Sequence, residues 1–106
     1  MIRGDVWLAE VGGKRRPVLV LTRSEVLDVR ALVTVAEITT TRRGTGAEVA
    51  LDHRAAGLAE PCSANCDGIH TVAQARLTRR VGSVDDGTLR AVCAALAHAL
   101  GCTATR

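Results

Sequence analysis

Arg16 and Thr39 are the pair whose types and placement fit a definite chemistry, which is phosphoryl transfer. Arg16 opens the apolar run Arg16-Pro17-Val18-Leu19-Val20-Leu21-Thr22, and Thr39 follows the β-branched run that ends at Ile38. If the two runs form an antiparallel hairpin through residues 23–30, the first residue of one lies beside the last residue of the other. A fixed guanidinium, a hydroxyl donor and a basic rim then meet at one end of a sheet. Lys14, Arg15, Arg42 and Arg43 fall in the loops at that end and form the candidate rim. Arg suits this work, because its planar fork binds phosphate oxygens two at a time. Pattern alone also allows an ordinary strand-start Arg beside a solvated basic loop.

Other chemistries find less support. The cysteines Cys62, Cys66, Cys93 and Cys102 could in principle bind zinc, but they lack the paired short gaps of structural zinc sites. Cys93 is expected to pack as a small hydrophobe on an apolar helix face. His53, His70 and His98 show no metal-pair spacing, and His98, off the helix stripe, is expected to be solvated. No metal or cofactor is therefore called for. Neither a GxxxxGK[ST] phosphate loop nor a Gly-x-Ser-x-Gly elbow is present.

The elements that must position these residues are short. Alternation from Val6 to Glu10 predicts a first strand, and Val11 to Arg15 a turn. Arg16–Thr22 is a second strand buried on both faces, with Pro17 tolerated near its start. Ala31–Ile38 is a third strand, and Thr39–Gly46 a polar loop. Ala47–Leu51 is a fourth strand, Pro61–Val72 holds a fifth, and Arg79–Ser83 is a short sixth. From Leu89 the period changes: Leu89, Val92, Cys93, Leu96 and Leu100 mark one helical face. Ser83, Asp85 and Asp86 offer N-caps, and Gly101 a C-cap. The expected architecture is mainly β (α+β): a small, bent sheet or barrel with a packed C-terminal helix.

Composition sets further bounds. The 106 residues fit a single domain, and apolar residues make up 47% of them, an ordinary globular balance. Trp7 is the only aromatic residue, which nearly excludes modules that stack several bases on aromatic rings. Net charge is +3, and 13 of the 14 basic residues are Arg. The longest apolar run, Ala91 to Leu100, is too short to span a membrane, and Arg3 and Asp5 stand where a signal peptide needs apolar residues. A cytoplasmic location follows as an expectation.

The order of segments adds a resemblance that covers nearly the whole chain. Arg3-Gly4-Asp5-Val6-Trp7, the Arg16-Pro17-Val18-Leu19-Val20-Leu21 strand, Ile38-Thr39-Thr40, Asp67-Gly68-Ile69-His70-Thr71-Val72, Arg76-Leu77 and the ending Ala99-Leu100-Gly101 resemble the MazF/PemK family of toxin endoribonucleases. The resemblance implies an SH3-like barrel of the kind shared with gyrase-poison toxins, a homodimer and a cognate antitoxin. It implies metal-independent cleavage of single-stranded RNA, either mRNA or a tRNA or rRNA loop, by attack of the ribose 2′-OH. The family's catalytic pair maps onto Arg16 and Thr39, the same two residues the hairpin argument singles out. Glu37 and His70 are the candidate general bases. A gyrase-poison-like or non-catalytic protein-binding barrel is the alternative. Three departures stand out: His70 where the family usually has Arg, with Ala73-Gln74 where it has Asp-Lys; a short first turn that leaves the groove mouth open; and a near-absence of aromatic residues for base stacking.

Overall fold

The computed structural model describes residues 1–102. Six strands precede one helix: β1 (Asp5–Val11), β2 (Lys14–Val20), β3 (Leu32–Thr39), β4 (Glu48–Leu51), β5 (Cys62–Ala73), β6 (Leu77–Ser83) and α1 (Asp86–Leu100). All pairings are antiparallel, in one sheet of order β4-β5-β3-β2-β1-β6. The mainly-β class, the β2–β3 hairpin and the terminal helix agree with the sequence reading. The first turn is shorter than the five residues read for it. Val11 pairs with Lys14, so only Gly12 and Gly13 lie outside the ladder, both at positive φ (62° and 76°). Two left-handed residues match the twist of the flanking strands, and glycine supplies them without steric cost.

Alternation along the strands builds a core on each side of the sheet. Val6, Leu19, Ile38, Leu51, Ala64 and Cys66 face the helix and pack with Val92 and Ala95. Ala9, Val11, Val18, Val20, Val33, Val35 and Leu77 cover the other face, with Leu27. Val18, Leu19 and Val20 are each 0% exposed, the signature of a strand buried on both faces. Two thin layers of Val, Leu and Ala do the work that one thick aromatic core would do elsewhere.

The two edges of the sheet, β4 and β6, do not pair with each other. The chain leaving β4 spans the gap instead, and Ser83 N–H donates to the Ala55 carbonyl at 3.2 Å. The sheet thus curls toward a barrel without closing its ladder. Gly57 makes the approach possible: its φ is +76°, and a Cβ there would lie 1.8 Å from the Val81 carbonyl oxygen. Gly57→Ala is therefore expected to destabilise the fold by about 2 kcal/mol or more, through left-handed strain and backbone overlap together. A lower urea midpoint with an unchanged slope would register it.

Helix α1 starts where expected. Asp85 accepts the Thr88 N–H at 2.8 Å as N-cap, and Gly101 ends the helix in a left-handed conformation. The buried stripe is displaced from the one read off the sequence. Val92 and Ala95 are its centre, whereas Cys93 and Leu100 are exposed. The helix meets the sheet along the Val92, Ala95, Leu96 and Ala99 edge, so a residue one step round from Val92 faces out. Cys93 is accordingly no core hydrophobe; Arg3 Nη2 donates to its Sγ at 2.8 Å. No helix among the described residues is long and apolar enough to cross a membrane.

Candidate active site

Strand register places the two predicted partners at the same end of the β2/β3 pair. Val18 lies opposite Glu37, so Arg16, two residues before Val18, shares the face of Glu37. Carrying the same register two residues further sets Thr39 opposite Arg16. Neighbouring apolar residues on this face, Val18 and Val35, are fully buried. The Arg16 guanidinium makes an ion pair with Glu37, through Nη1 and Oε1. Its Nε is buried and has no partner. A buried guanidinium donor without an acceptor is costly.

His70 completes the cluster, and a bulge puts it there. Glu37 pairs with Asn65, but the next residue, Ala36, pairs with Ile69. Cys66, Asp67 and Gly68 are therefore extra residues in β5. An insertion of three, an odd number, reverses which face the rest of the strand presents. His70 then lies opposite Val35 and on the Glu37 face, with its Nε2 2.5 Å from Glu37 Oε2. Asn65 Oδ1 accepts the Asp67 N–H at 3.0 Å and braces the bulge. Gly68 leaves room beside it: a Cβ there would come within 3.3 Å of the Glu37 carboxylate.

Electrostatics assign the protons. The hydrogen bond from His70, together with the charge and hydrogen bond of Arg16, holds the Glu37 carboxyl below its ordinary value of 4.5 and outweighs the opposing effect of burial. Glu37 is ionised at neutral pH and can only accept. His70 Nε2 is then the donor in this contact, and Nδ1 is the ring nitrogen that Glu37 does not engage. One carboxylate thus orients both a guanidinium and an imidazole. Thr39 Oγ1 accepts the Thr41 N–H at 3.1 Å, and its own hydroxyl proton remains to donate.

The four rim residues Lys14, Arg15, Arg42 and Arg43 are exposed. Lys14 and Arg15 begin β2, and Arg42 and Arg43 follow β3, so the topology sets both pairs at the sheet end that holds Arg16. The loop carrying Arg42 and Arg43 is tethered by a residue that the sequence reading passed over. The backbone N–H groups of Arg43, Gly44 and Thr45 all donate to the Glu48 carboxylate, at 2.8–3.4 Å. Those bonds, led by the one from Arg43, lower the Glu48 pKa. His98 is exposed, as expected for a residue off the stripe, but its ring also lies over Gly46 at the far end of this loop.

Residues outside this end serve the scaffold. Asp5, 2% exposed, accepts from Ile2 N–H at 2.9 Å and from Arg80 Nε at 3.1 Å, tying the N-terminus to β6. The Arg3-Gly4-Asp5-Val6-Trp7 motif is thus structural here. All four cysteines are free, with Cys62 and Cys66 buried. Burial pushes the Cys66 thiol up to about 11, which keeps it unreactive. Among the described residues, no three His, Cys, Asp or Glu side chains come together as a metal site.

Fold and site together define a small β-rich protein with an Arg16–Glu37–His70 cluster at one end of its sheet. Residues 2–100 match the model of the PemK-like, MazF-like toxins of type II toxin–antitoxin systems, and the chain belongs to that family. It is 37% identical over 102 residues to the probable endoribonuclease MazF2 of Mycobacterium tuberculosis, covering 96% of this chain and all of the relative. It is 38% identical to the probable endoribonuclease MazF5 of the same species, over 95% of this chain and 94% of the relative. Among solved structures, the Mycobacterium tuberculosis toxin MazF-mt6 superposes with a TM-score of 0.88 at 34% identity, covering 93% of this chain and 98% of that one. An endoribonuclease in complex with its cognate antitoxin, from a Mycobacterial species, superposes with a TM-score of 0.85 at 28% identity, over 99% of both chains. The protein is a MazF-like toxin endoribonuclease, the reading favoured over a gyrase-poison-like barrel.

Proposed function

We propose that this MazF-like endoribonuclease cuts single-stranded RNA by internal transesterification, without a metal ion, at the Arg16–Glu37–His70 cluster. The Glu37 carboxylate holding both the Arg16 guanidinium and His70, at the sheet end that carries the exposed basic rim, is the observation that carries this reading. The ribose 2′-oxygen attacks its own 3′-phosphorus and gives its proton to His70 Nδ1. The bond from phosphorus to the 5′-oxygen breaks, and that oxygen takes a proton from water. Arg16 stabilises the charge that gathers on the non-bridging oxygens, and Thr39 donates a hydrogen bond to one of them. Glu37 is the group that orients Arg16 and His70, since both of its oxygens are already engaged. The products are a 2′,3′-cyclic phosphate and a 5′-hydroxyl. DNA, which lacks the nucleophile, is inert.

Lys14, Arg15, Arg42 and Arg43 bind the RNA backbone, so affinity falls steeply with salt. The chain works in the cytoplasm as a homodimer and is held in check by a cognate antitoxin. An acidic segment of that antitoxin competes for the same basic rim. The substrate is mRNA or a tRNA or rRNA loop, and the two-residue first turn leaves the groove open to a folded loop.

Incubation with defined oligonucleotides tests the chemistry. Cleavage is expected to yield cyclic-phosphate ends, to persist in EDTA, and to stop when the scissile ribose is 2′-deoxy. Loss in EDTA with recovery on adding Mg²⁺ would rule the mechanism out. Thr39→Ala is expected to lower kcat about tenfold, the worth of one hydrogen bond to a charged group, with little change in RNA affinity. Single-turnover rates beside equilibrium binding separate the two effects.

A further inference from the structure

We infer that a cleft at the end of the β2/β3 pair is a pocket for a single base of the RNA, one flanking the cut. The inference rests on the nuclease reading. Pro17, Ile38, Leu58 and Cys62 form the cleft's apolar walls; Thr39 belongs to both the cleft and the reacting cluster, and Glu60 also lines it. Its volume is about 200 Å³. A cavity of about 150 Å³ accepts a benzene ring, so this cleft holds one planar heterocycle rather than a stack of them.

Position argues for a base. Pro17 and Ile38 alternate with Arg16 and Thr39 along their strands, so their side chains stand on the opposite face of the pair. An RNA strand crossing this end can hold its phosphate on the Arg16 face and turn the neighbouring base round the strand ends into the cleft. Rim charge reaches the same place. Burial pushes the Cys62 thiol up, and the Arg42 charge offsets part of that rise. The pocket also answers a need set by composition. Trp7, the sole aromatic, lies on β1 near Asp5, so a base must be held by aliphatic walls.

Glu60 sets the selectivity. A carboxylate accepts hydrogen bonds and cannot donate them, so it favours an edge carrying an amino group: cytosine, guanine or adenine. Uracil sets two carbonyl oxygens around its one N–H and is rejected. The discrimination expected from one such contact is about tenfold.

The test is a panel of short RNAs permuted at the two positions flanking the cut, assayed for cleavage. A non-cleavable set with 2′-deoxyribose at the scissile position is assayed for binding. Wild-type protein is expected to disfavour uracil about tenfold at one of the positions. Glu60→Gln, at an exposed site where folding is not at stake, is expected to bring that ratio toward one. Leu58→Trp, which fills the cleft, is expected to weaken binding of the full oligonucleotide but not of one that is abasic at that position. Unchanged base preference in both variants overturns the pocket while leaving the nuclease intact. So does a Leu58→Trp protein that reads RNA normally but no longer binds the antitoxin, since the cleft is then the antitoxin's. Wild-type protein that cuts no RNA of any sequence overturns the nuclease reading, and the pocket with it.

Discussion

Arg16→Ala leaves RNA uncut under conditions in which the wild-type protein digests it. Removing a preorganised donor from a transition-state charge costs about 100-fold or more in rate. Here the same guanidinium also holds Glu37 through Nη1. Truncation therefore removes a charge and releases the carboxylate that orients His70. Arg16→Lys is expected to fail nearly as badly. A lysine ammonium is a point charge on a flexible stem and cannot hold a carboxylate and a phosphate in one plane. Unfolding is not the reason for loss: Arg16 is near the start of β2, ahead of the buried Val18-Leu19-Val20 run, so circular dichroism should show the fold retained. Wild-type cleavage by a folded Arg16→Ala protein would remove Arg16 from the mechanism.

His70→Ala lowers kcat by about 100-fold or more, the usual worth of a positioned general base. RNA affinity is expected to change little, because the basic rim is untouched. Glu37→Gln keeps the shape of the side chain but removes the charge that fixes the imidazole's proton on Nε2, so its rate falls as well, with RNA affinity largely retained. Glu37 also has a signature in stability. Its pKa is lowered in the folded protein, so the network contributes fully above the ordinary value of 4.5 and is lost as pH falls through the lower folded value. The stability gap between wild type and Glu37→Gln is expected to be constant at neutral pH and to close below that range. Urea titrations at several pH values measure it. Wild-type cleavage by a folded His70→Ala protein would return the base to another group.

Much of this was legible in the residues. Alternation and a doubly buried apolar run define β1 and β2, and the switch to a helical period locates α1, because side-chain direction follows backbone period directly. The Arg16–Thr39 pairing needed only one assumption, an antiparallel hairpin, because the ends of such a hairpin are set by strand direction. The family's motif order points to the same two residues.

What only the folded chain decided depends on odd and even counts and on distant contacts. Glu37 and His70 are both in the sequence, yet their meeting turns on Cys66-Asp67-Gly68, three residues that β5 inserts between its pairings with β3. A strand's period is two, so an insertion of two would have sent His70 to the opposite face, and no local pattern states the count. Cys93 looked buried because period alone does not say which edge of an apolar stripe meets the sheet. The helix settles on Val92 and Ala95 once the sheet has curled beneath it. That curl depends in turn on Gly57, 24 residues before Val81, standing where a Cβ would strike the Val81 carbonyl. Strand identity is a local property of side chains, whereas register, sheet closure and the assembly of Arg16, Glu37 and His70 are properties of which strands meet, and only long-range packing settles those.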